Sequence, residues 1–416
     1  MKTKAVRLYG KEDLRLEEVE LPALADDQIL GHVISDSICM SSYKAAKQGG
    51  DHKRVPDNVA ENPIVIGHEF CGEIVEVGSK WKDKFKPGQK FSVQPAINYK
   101  GSLAAPGYSY PYFGGSSTYI IIPNEFMEEG CFLPYDGEAF FYGSLAEPMS
   151  CIAGGFHANY HTTAGSYEHS MGIKEGGNAA ILAGVGPMGL GAIDYAIHCD
   201  RKPAKLVVTD IDQARLNRAA SILPVEEAQK NGVELIYLNT GNIEEPISYM
   251  MDLTDGKGYD DVFVFAPVKP VVEMGDKILG RDGCLNFFAG PTNPAFAAEF
   301  NFYNVHYAST HVVGTSGGNT ADMVESLKMM EQGTIDPAAM ITHIGGMDAI
   351  IGTTLNLPNI PGGKKLIYLN IEMPLTPIAE FGQSADPVLQ ELDRIVSANN
   401  GLWCAEAEAY LLKNKQ

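Results

Sequence analysis

The chain has 416 residues, enough for two domains that each bury a hydrophobic core. Its 45% hydrophobic and 20% charged residues are typical of a globular protein and exclude a disordered one. A formal net charge of −20 argues against nucleic acid or an anionic membrane as a partner, because their phosphates would be repelled.

The start of the chain and its cysteines favour the cytosol. Residues 1–7 lead into charged, alternating sequence without the apolar core of a signal peptide. No stretch approaches the roughly 20 apolar residues of a membrane span. The seven cysteines are scattered and odd in number, which suits reduced thiols better than a disulfide framework. We therefore expect a cytoplasmic protein.

The first third of the chain has the pattern of a β domain. From Lys4 to about Tyr119, short apolar runs are broken by glycine and proline, which predicts an all-β, barrel-like domain. The predicted strands are residues 29–35, 72–77, 90–93 and 117–122. Residues 48–62 and 96–115 are rich in glycine, proline and asparagine, so we expect two long loops, which on such a scaffold often form the mouth of a substrate site.

From about Asn178 the pattern changes to strands alternating with helices, which predicts an α/β domain with a doubly wound parallel sheet. Two helices are predicted over residues 188–198 and 213–223. The six predicted strands are residues 179–183, 205–209, 233–237, 261–265, 284–288 and 311–314.

The last hundred residues are expected to return to the first domain. A helix is predicted over residues 320–332, a returning strand over 363–369, and two tail helices over 387–398 and 404–413. The predicted domains are therefore residues 1–157, residues 158–316, and residues 317–416 as the return to the first domain with a helical extension.

A glycine-rich turn directly after an apolar strand matches the dinucleotide fingerprint G-x-G-x-x-G. Its glycines permit a tight turn and close approach of a pyrophosphate, while the amides of the following helix face the negative charge. The residues expected to bind the cofactor are Gly184, Gly186, Pro187, Met188 and Gly189.

The preferred nucleotide is suggested by an acid at the end of the next strand. Asp210 follows the glycines at about the 20-residue spacing typical of a ribose-binding carboxylate. A carboxylate there would bond the ribose hydroxyls and repel a 2′-phosphate, so NAD(H) is favoured. Arg215 lies close enough in sequence to leave NADP(H) as an alternative.

Three residues offer the ligand types of a catalytic zinc site. Cys39, His68 and Glu147 supply a thiol, an imidazole and a carboxylate, and three protein ligands leave one tetrahedral position for water or substrate. They are too far apart in sequence for a local zinc clip, so tertiary structure would have to assemble them. Taken singly, each has a plainer explanation, such as a buried thiol or a solvated carboxylate.

The sequence around His68 carries a family resemblance. Residues 67–75 read GHEFCGEIV, with Cys39 before them and the pair Glu147-Pro148 after them. This arrangement resembles the zinc-dependent medium-chain alcohol and polyol dehydrogenases over about residues 1–370. The resemblance implies a GroES-like β-barrel catalytic domain and a Rossmann nucleotide-binding domain.

The same resemblance implies roles for individual residues. Cys39, His68 and Glu147 would be the zinc ligands, as in the sorbitol-type branch, and Glu69 would support His68 or replace a ligand during exchange. Cys151 remains an alternative to Glu147 as a ligand. Residues 94–119 contain no cysteine, so the second, structural zinc of many relatives is not expected, and that loop would be ordered by its tyrosines, Tyr99, Tyr108, Tyr110 and Tyr112.

In the family, a hydroxyl two residues after the ligand cysteine passes the substrate proton outward, and Ser41 stands there. Ser42 occupies the position of an aspartate that usually supports the ligand histidine, so another acid would have to take that role. Lys44 stands where some members carry a relay histidine, and would end the proton path or bind an anionic group of the substrate.

Several basic residues near the predicted metal site raise the question of a phosphorylated substrate. Lys47, Lys53 and Arg54 follow Lys44 in a loop longer than is usual, although such a run is more often a solvated surface. Residues 145–169 and the tail resemble the bacterial L-sorbose-1-phosphate reductases, which interconvert L-sorbose 1-phosphate and D-glucitol 6-phosphate. A dehydrogenase of unphosphorylated, sorbitol-like polyols and a non-catalytic dinucleotide-binding protein remain alternatives.

Two further expectations follow from the family pattern. Lys364, with Lys365 beside it, lies at the start of the returning strand and is expected to reach the cofactor pyrophosphate. The final strand of the nucleotide domain, residues 311–314, is expected to mediate association into a homodimer or homotetramer.

Overall fold

The computed structural model describes residues 1–415. The chain forms two compact units: unit 1 comprises Met1–Pro148, Asn319–Gly333 and the chain from Ile341 onward, and unit 2 comprises Met149–Gly318 and Thr334–Met340. The first division falls earlier than the predicted one at residue 157, inside the helix Phe140–Ala158. Of the predicted last domain, residues 317–318 and 334–340 belong to unit 2.

The N-terminal part of unit 1 contains eight strands and three helices. The strands are β1 (Lys2–Gly10), β2 (Asp13–Glu20), β3 (Ile29–Ile38), β4 (Ile64–Val65), β5 (Phe70–Val77), β6 (Lys90–Val93), β7 (Tyr119–Ile122) and β8 (Phe132–Tyr135). The helices are α1 (Met40–Gln48), α2 (Asn124–Glu128) and α3 (Phe140–Ala158). The four predicted strands are confirmed as β3, β5, β6 and β7, and the pattern did not reveal α1 and α3.

Unit 2 contains the predicted α/β sheet. Its strands are β9 (Tyr160–Thr162), β10 (His169–Met171), β11 (Asn178–Leu182), β12 (Lys205–Asp210), β13 (Glu234–Asn239), β14 (Tyr259–Val264), β15 (Leu279–Phe287) and β16 (His311–Val313). Its helices are α4 (Pro187–His198), α5 (Gln213–Ile222), α6 (Val225–Lys230), α7 (Pro246–Asp252), α8 (Lys269–Ile278) and α9 (Phe302–Tyr307). Six parallel strands pair in the order β13-β12-β11-β14-β15-β16, which confirms the doubly wound sheet.

The remaining elements belong to unit 1. They are α10 (Thr320–Glu331), β17 (Ile341–Gly346), α11 (Ile350–Asn356), β18 (Lys364–Tyr368), β19 (Thr376–Pro377), α12 (Pro387–Ala398) and α13 (Ala405–Asn414). The predicted return is confirmed, because β18 pairs antiparallel with β3, setting Lys365 opposite Ile38. The main sheet of unit 1 has the order β19-β17-β18-β3-β5-β6-β8, with β7 also paired to β3.

The C-terminal tail is tied into the core of unit 1 by a buried polar group. Trp403 is fully buried, and its indole N–H donates to the Tyr368 hydroxyl (2.8 Å). The Glu408 carboxylate accepts from the backbone N–H groups of Phe140 (2.6 Å) and Phe141 (2.9 Å) and from the Tyr368 hydroxyl (2.8 Å). A carboxylate from α13 therefore caps the start of α3, where helical amides lack partners and favour negative charge.

Within residues 1–415, no helix is both long enough and apolar enough to cross a membrane.

Candidate metal centre and nucleotide turn

Cys39 and His68 are held by backbone features at the ends of strands. Cys39 caps α1 directly after β3, and its sulfur accepts from the Ser41 N–H (3.5 Å). His68 follows Gly67, whose φ is +88° and where a Cβ would lie 2.2 Å from the Asp36 Oδ2. Only glycine fits there, so the GHE segment enters β5 by this one path.

The side chains of Cys39, His68 and Glu69 form a cluster of metal-ligand type, here called the metal cluster. One ligand atom from each lies within 4.8 Å of the others, and among the described residues no other set of three such side chains comes together. Zinc bound tetrahedrally at about 2.0–2.3 Å would bring such atoms to about 3.3–3.8 Å of one another. The donor types and spacing therefore fit zinc after small side-chain movements.

The charges around Cys39 also fit a cation. Burial, followed by the charges of Glu69 and Glu147, raises the pKa of the Cys39 thiol to about 12, with Lys364 opposing them. Cys39 therefore becomes a thiolate in this environment only when a cation binds directly to its sulfur.

Glu147 lies near the metal cluster but outside it. It stands in α3, half-buried, and its charge acts on Cys39, Lys364 and Tyr108. Cys151 follows one helical turn later in α3. The structure thus brings Cys39 and His68 together, with Glu69 rather than Glu147 as the third side chain of the cluster.

Glu69 is engaged by a lysine that was expected elsewhere. The Lys364 Nζ donates to both carboxylate oxygens of Glu69, at 2.5 and 2.6 Å, and the two side chains are only 8% and 1% exposed. Burial opposes both charges, but each partner's charge prevails, so the pKa of Glu69 is lowered and that of Lys364 is raised. Lys364 was expected at the cofactor pyrophosphate, whereas in the structure its ammonium group is hydrogen-bonded to Glu69.

The neighbouring Lys365 donates to the backbone carbonyls of Ile360, Pro361 and Gly363.

The imidazole of His68 is held on both sides by hydroxyl groups. The Ser42 Oγ lies 3.4 Å from Nδ1, and the Tyr108 hydroxyl lies 3.5 Å from Nε2. In the tautomer with the proton on Nδ1, the ring donates to Ser42, and Nε2 is left to accept from Tyr108 or to bind a metal. Ser42 therefore takes, with a neutral hydroxyl, the place of the aspartate usual in the family.

A second buried acid lies behind His68. Asp36 on β3 accepts from the Ser116 Oγ (2.9 Å), and its Oδ1 has no hydrogen-bond partner among the described residues. Burial raises the pKa of Asp36 to about 7, and the Ser116 hydrogen bond and the charge of His68 act against that rise. Asp36 is thus a buried acid that interacts electrostatically with His68, whereas the groups nearest the two ring nitrogens are the hydroxyls of Ser42 and Tyr108.

Tyr108 is the functional candidate that the sequence did not reveal, since it was expected only to order its loop. Its ring centroid lies 5.0 Å from that of His68, and its hydroxyl is hydrogen-bonded to Ser41. Burial raises the pKa of Tyr108 well above its ordinary value. Ser41 and Tyr108 therefore form a hydroxyl pair beside the cluster, while Lys44 lies half-buried on α1.

In unit 2, residues 183–189 form the predicted turn between β11 and α4, here called the nucleotide turn. Ala183 has a φ of +53°, and the Gly184 N–H bonds the Thr209 carbonyl (2.9 Å). A Cβ at Gly189 would lie 2.0 Å from the Gly184 oxygen, whereas a Cβ at Gly186 would meet nothing within 4 Å. Gly189 thus allows close packing of the helix, and Gly186 leaves open space at the start of α4. This helix begins at Pro187 and has the Met188 amide in its first turn.

Asp210 ends β12, as predicted, and its Oδ1 accepts from the N–H groups of Ile211 (2.8 Å) and Asp212 (3.1 Å). The Arg215 side chain is directed to Asp212, with Nε 3.6 Å from Oδ2. The turn chemistry therefore fits a dinucleotide, and the acid beside it fits the ribose.

Comparisons with known proteins place the chain in a family. Residues 25–130 match the alcohol dehydrogenase GroES-like domain, and residues 187–332 match the zinc-binding dehydrogenase domain. The chain is 55% identical to mannitol-1-phosphate 5-dehydrogenase of Aliivibrio fischeri, over 99% of this chain and 97% of that one. It is 49% identical to L-sorbose 1-phosphate reductase of Klebsiella pneumoniae, over 100% and 98% of the two chains.

The fold also matches solved structures. The crystal structure of 2R,3R-butanediol dehydrogenase from Bacillus subtilis aligns with a TM-score of 0.69 and 20% identity, covering 88% of this chain and all of that one. The chain is about half identical, over nearly its whole length, to a dehydrogenase and a reductase, which is enough to assign its family. The chain belongs to the zinc-binding dehydrogenase family, and it is an oxidoreductase that acts on a small molecule.

Proposed function

We propose that this enzyme interconverts a ketose phosphate and a polyol phosphate, of the L-sorbose 1-phosphate and D-glucitol 6-phosphate type, by hydride transfer with a nicotinamide nucleotide. The observation that carries the substrate class is the similarity, at 49% and 55% identity over the whole chain, to a reductase and a dehydrogenase of sugar phosphates. The metal cluster and the nucleotide turn support the reaction type.

Cys39, His68 and Glu147 are proposed to hold one zinc ion, with the fourth position left to the substrate oxygen. Glu69 is the nearer carboxylate, but both its oxygens are occupied by Lys364, which makes it a poor donor while the pair is intact. When bound, the zinc ion supplies Lewis acidity that polarises a carbonyl and makes a hydroxyl easier to ionise near neutral pH.

The proton is proposed to leave through hydroxyl groups of this chain. In the oxidation direction, the Ser41 oxygen would accept the proton of the substrate hydroxyl, and a bound nicotinamide nucleotide would supply the hydride acceptor. The hydrogen bond between Ser41 and Tyr108 offers the next acceptor, and Lys44 lies on the same helix as Ser41. Each hydroxyl that accepts a proton releases its own to the next acceptor and finally to water, so oxidation delivers one proton to solvent and reduction of the ketose takes one back.

NAD(H) is the proposed nucleotide. Its pyrophosphate would lie over Gly186 against the first amides of α4, and Asp210 would accept from the ribose hydroxyls. Asp212 engages Arg215, which weakens the case for NADP(H).

A cytosolic homo-oligomer is proposed. All seven cysteines are free thiols, as expected in a reducing compartment. In unit 2 the outer strand β16 exposes Val312, and the adjacent α9 exposes Phe302 (76%), Tyr303 (68%) and Tyr307 (60%). An exposed apolar surface beside an unpaired strand edge is typical of an interface between copies.

A substrate screen after metal analysis tests the proposal. Purified enzyme would be assayed with L-sorbose 1-phosphate, L-sorbose, D-glucitol 6-phosphate and D-glucitol, each with both nicotinamide cofactors. We expect about one zinc per chain and a higher kcat/KM for the phosphorylated compounds with NAD(H). Equal efficiency for free and phosphorylated compounds would instead make this a dehydrogenase of simple polyols.

A further inference from the structure

The loop between α1 and β4 carries a group of basic side chains beside Tyr108. The rings of His52 and Tyr108 are stacked, with centroids 5.4 Å apart and planes inclined by 12°. The Arg54 guanidinium carbon lies 5.8 Å from the centroid of the same tyrosine ring. Tyr108 in turn contacts His68 of the metal cluster, so one aromatic ring connects these basic groups to the proposed reaction centre.

This loop is anchored to the core of unit 1. Val55 and Val59 are buried in the core of unit 1, at 5% and 3% exposure. The Ser109 hydroxyl donates to the Arg54 carbonyl (2.7 Å), and the Arg54 N–H donates to the His52 Nδ1 (3.3 Å). These contacts therefore hold the backbone of Arg54 and the ring of His52 in place.

The cations of this loop lack the carboxylate partners found elsewhere in unit 1. Lys2, Lys11 and Lys47 pair with Glu18, Asp51 and Glu12. Within residues 1–415, Lys53 and Arg54 form no such ion pair. In a chain with a net charge of −20, unpaired cations beside a reaction centre indicate a site for an anion.

The hydrogen-bonding groups suit a phosphate. Arg54 uses Nη1 to donate to the Leu103 carbonyl (3.2 Å), which leaves further N–H groups of the fork for two phosphate oxygens. Since Nδ1 of His52 accepts from Arg54, the neutral ring carries its proton on Nε2 and can donate it. Burial and the charges of Arg54, Lys53 and Lys44 all lower the pKa of His52, so positive charge converges on this ring.

We propose that Arg54 and His52, seated on Tyr108, bind the phosphate group of the substrate, with Lys44 and Lys53 adding positive charge around it. This inference rests on the proposed function, because it assumes a phosphorylated substrate. Lys47, one of the four basic residues that the sequence brought together, is excluded from the site by its pairing with Glu12.

The test compares Arg54→Gln, Arg54→Lys and the control Lys47→Gln with the unaltered enzyme. The readout is kcat/KM for L-sorbose 1-phosphate divided by kcat/KM for L-sorbose, together with competitive inhibition by inorganic phosphate. We expect Arg54→Gln to lower this ratio about 10- to 100-fold, mainly through KM, and to weaken inhibition by phosphate. Arg54→Lys should fall between, because it keeps the charge and loses the fork. Lys47→Gln should change neither readout.

The outcomes separate this inference from the proposed function. If the unaltered enzyme does not prefer the phosphorylated ketose, the proposed substrate class fails, and this site fails with it. If that preference exists and Arg54→Gln leaves the ratio and the phosphate inhibition intact, the substrate class stands and this site is overturned. Zinc content and the thermal unfolding midpoint of each variant show whether a lower ratio of efficiencies comes from a damaged fold. If Arg54→Gln damages the fold and Arg54→Lys leaves the ratio unchanged, the site is also overturned.

Discussion

The metal cluster of unit 1 and the nucleotide turn of unit 2 are built in opposite ways. The nucleotide turn is one uninterrupted segment between a strand and a helix, and it offers backbone amides and open space. The metal cluster collects side chains from the starts of α1 and β5, and its neighbours Glu147 and Lys364 come from α3 and β18. The turn depends on local sterics, whereas the cluster depends on remote parts of the chain.

The two regions also differ in how they treat charge. Glu69 and Lys364 are buried together, and a buried ion pair is stable only while both members are present. The nucleotide turn contains no ionisable side chain within residues 183–189. Substitutions at the cluster should therefore have large, coupled effects, and substitutions at the turn smaller, separable ones.

The largest expected effect is at the metal itself. Cys39→Ser removes the thiolate, so we expect loss of zinc and a fall in kcat/KM of about 10³- to 10⁴-fold, as the contribution of a catalytic metal is several kcal/mol. Metal analysis and steady-state kinetics measure this. NADH binding, followed by fluorescence, should stay within about twofold, because the nucleotide turn is made without the cluster. Cys404→Ser serves as the control and should retain zinc and activity, while equal losses of zinc and NADH binding in Cys39→Ser would show that the two sites are not independent.

The next effect concerns the buried pair. Lys364→Met leaves the Glu69 carboxylate buried without its cation, so we expect a loss of about 3–5 kcal/mol in the free energy of unfolding in urea. The double variant Lys364→Met, Glu69→Gln removes both charges and should recover most of that loss. A single and a double variant of equal stability would mean that the pair is not coupled.

The turn allows a sharper separation between stability and binding. At Gly189 an alanine Cβ would lie 2.0 Å from the Gly184 oxygen, so Gly189→Ala should lower the stability of unit 2 by about 1–3 kcal/mol and weaken NADH binding. At Gly186 nothing lies within 4 Å, so Gly186→Ala should leave the thermal unfolding midpoint unchanged and weaken NADH binding alone. Full NADH affinity in Gly186→Ala would mean that no pyrophosphate occupies this space.

These contrasts explain how far the sequence could be interpreted. Hydrophobic periodicity and the glycine fingerprint are local signals, so the six parallel strands, the turn and the returning strand were predicted with end errors of a few residues. Helix α3 was missed because its start has no local cap. The Glu408 carboxylate, far along the chain, accepts from the amides of Phe140 and Phe141 instead.

At the metal cluster the ligand types could be predicted, but their partners could not. The motif around His68 and the distant Cys39 pointed to zinc, and the structure brings the two together. The roles of Lys364 beside Glu69, of Asp36 behind His68 and of Tyr108 depend on contacts between segments distant in the chain. No spacing rule in one sequence reports such contacts.

The smallest expected effect decides between the two nucleotides. Asp210→Asn keeps the Oδ1 that accepts from the Ile211 and Asp212 amides, so the local turn survives while the charge is removed. We expect kcat/KM to fall about tenfold for NAD and to rise for NADP, because a hydrogen bond from the ribose to a carboxylate contributes about 1.5 kcal/mol. Asp212→Asn is the matched variant, since it releases the Arg215 side chain and leaves Asp210 unchanged. If Asp212→Asn alone raises NADP use, then Arg215 can bind the 2′-phosphate once its ion pair with Asp212 is removed. If neither variant changes the ratio of NAD to NADP efficiency, the residues at the end of β12 do not bind the ribose. Only the glycines of the nucleotide turn would then contribute to nucleotide binding.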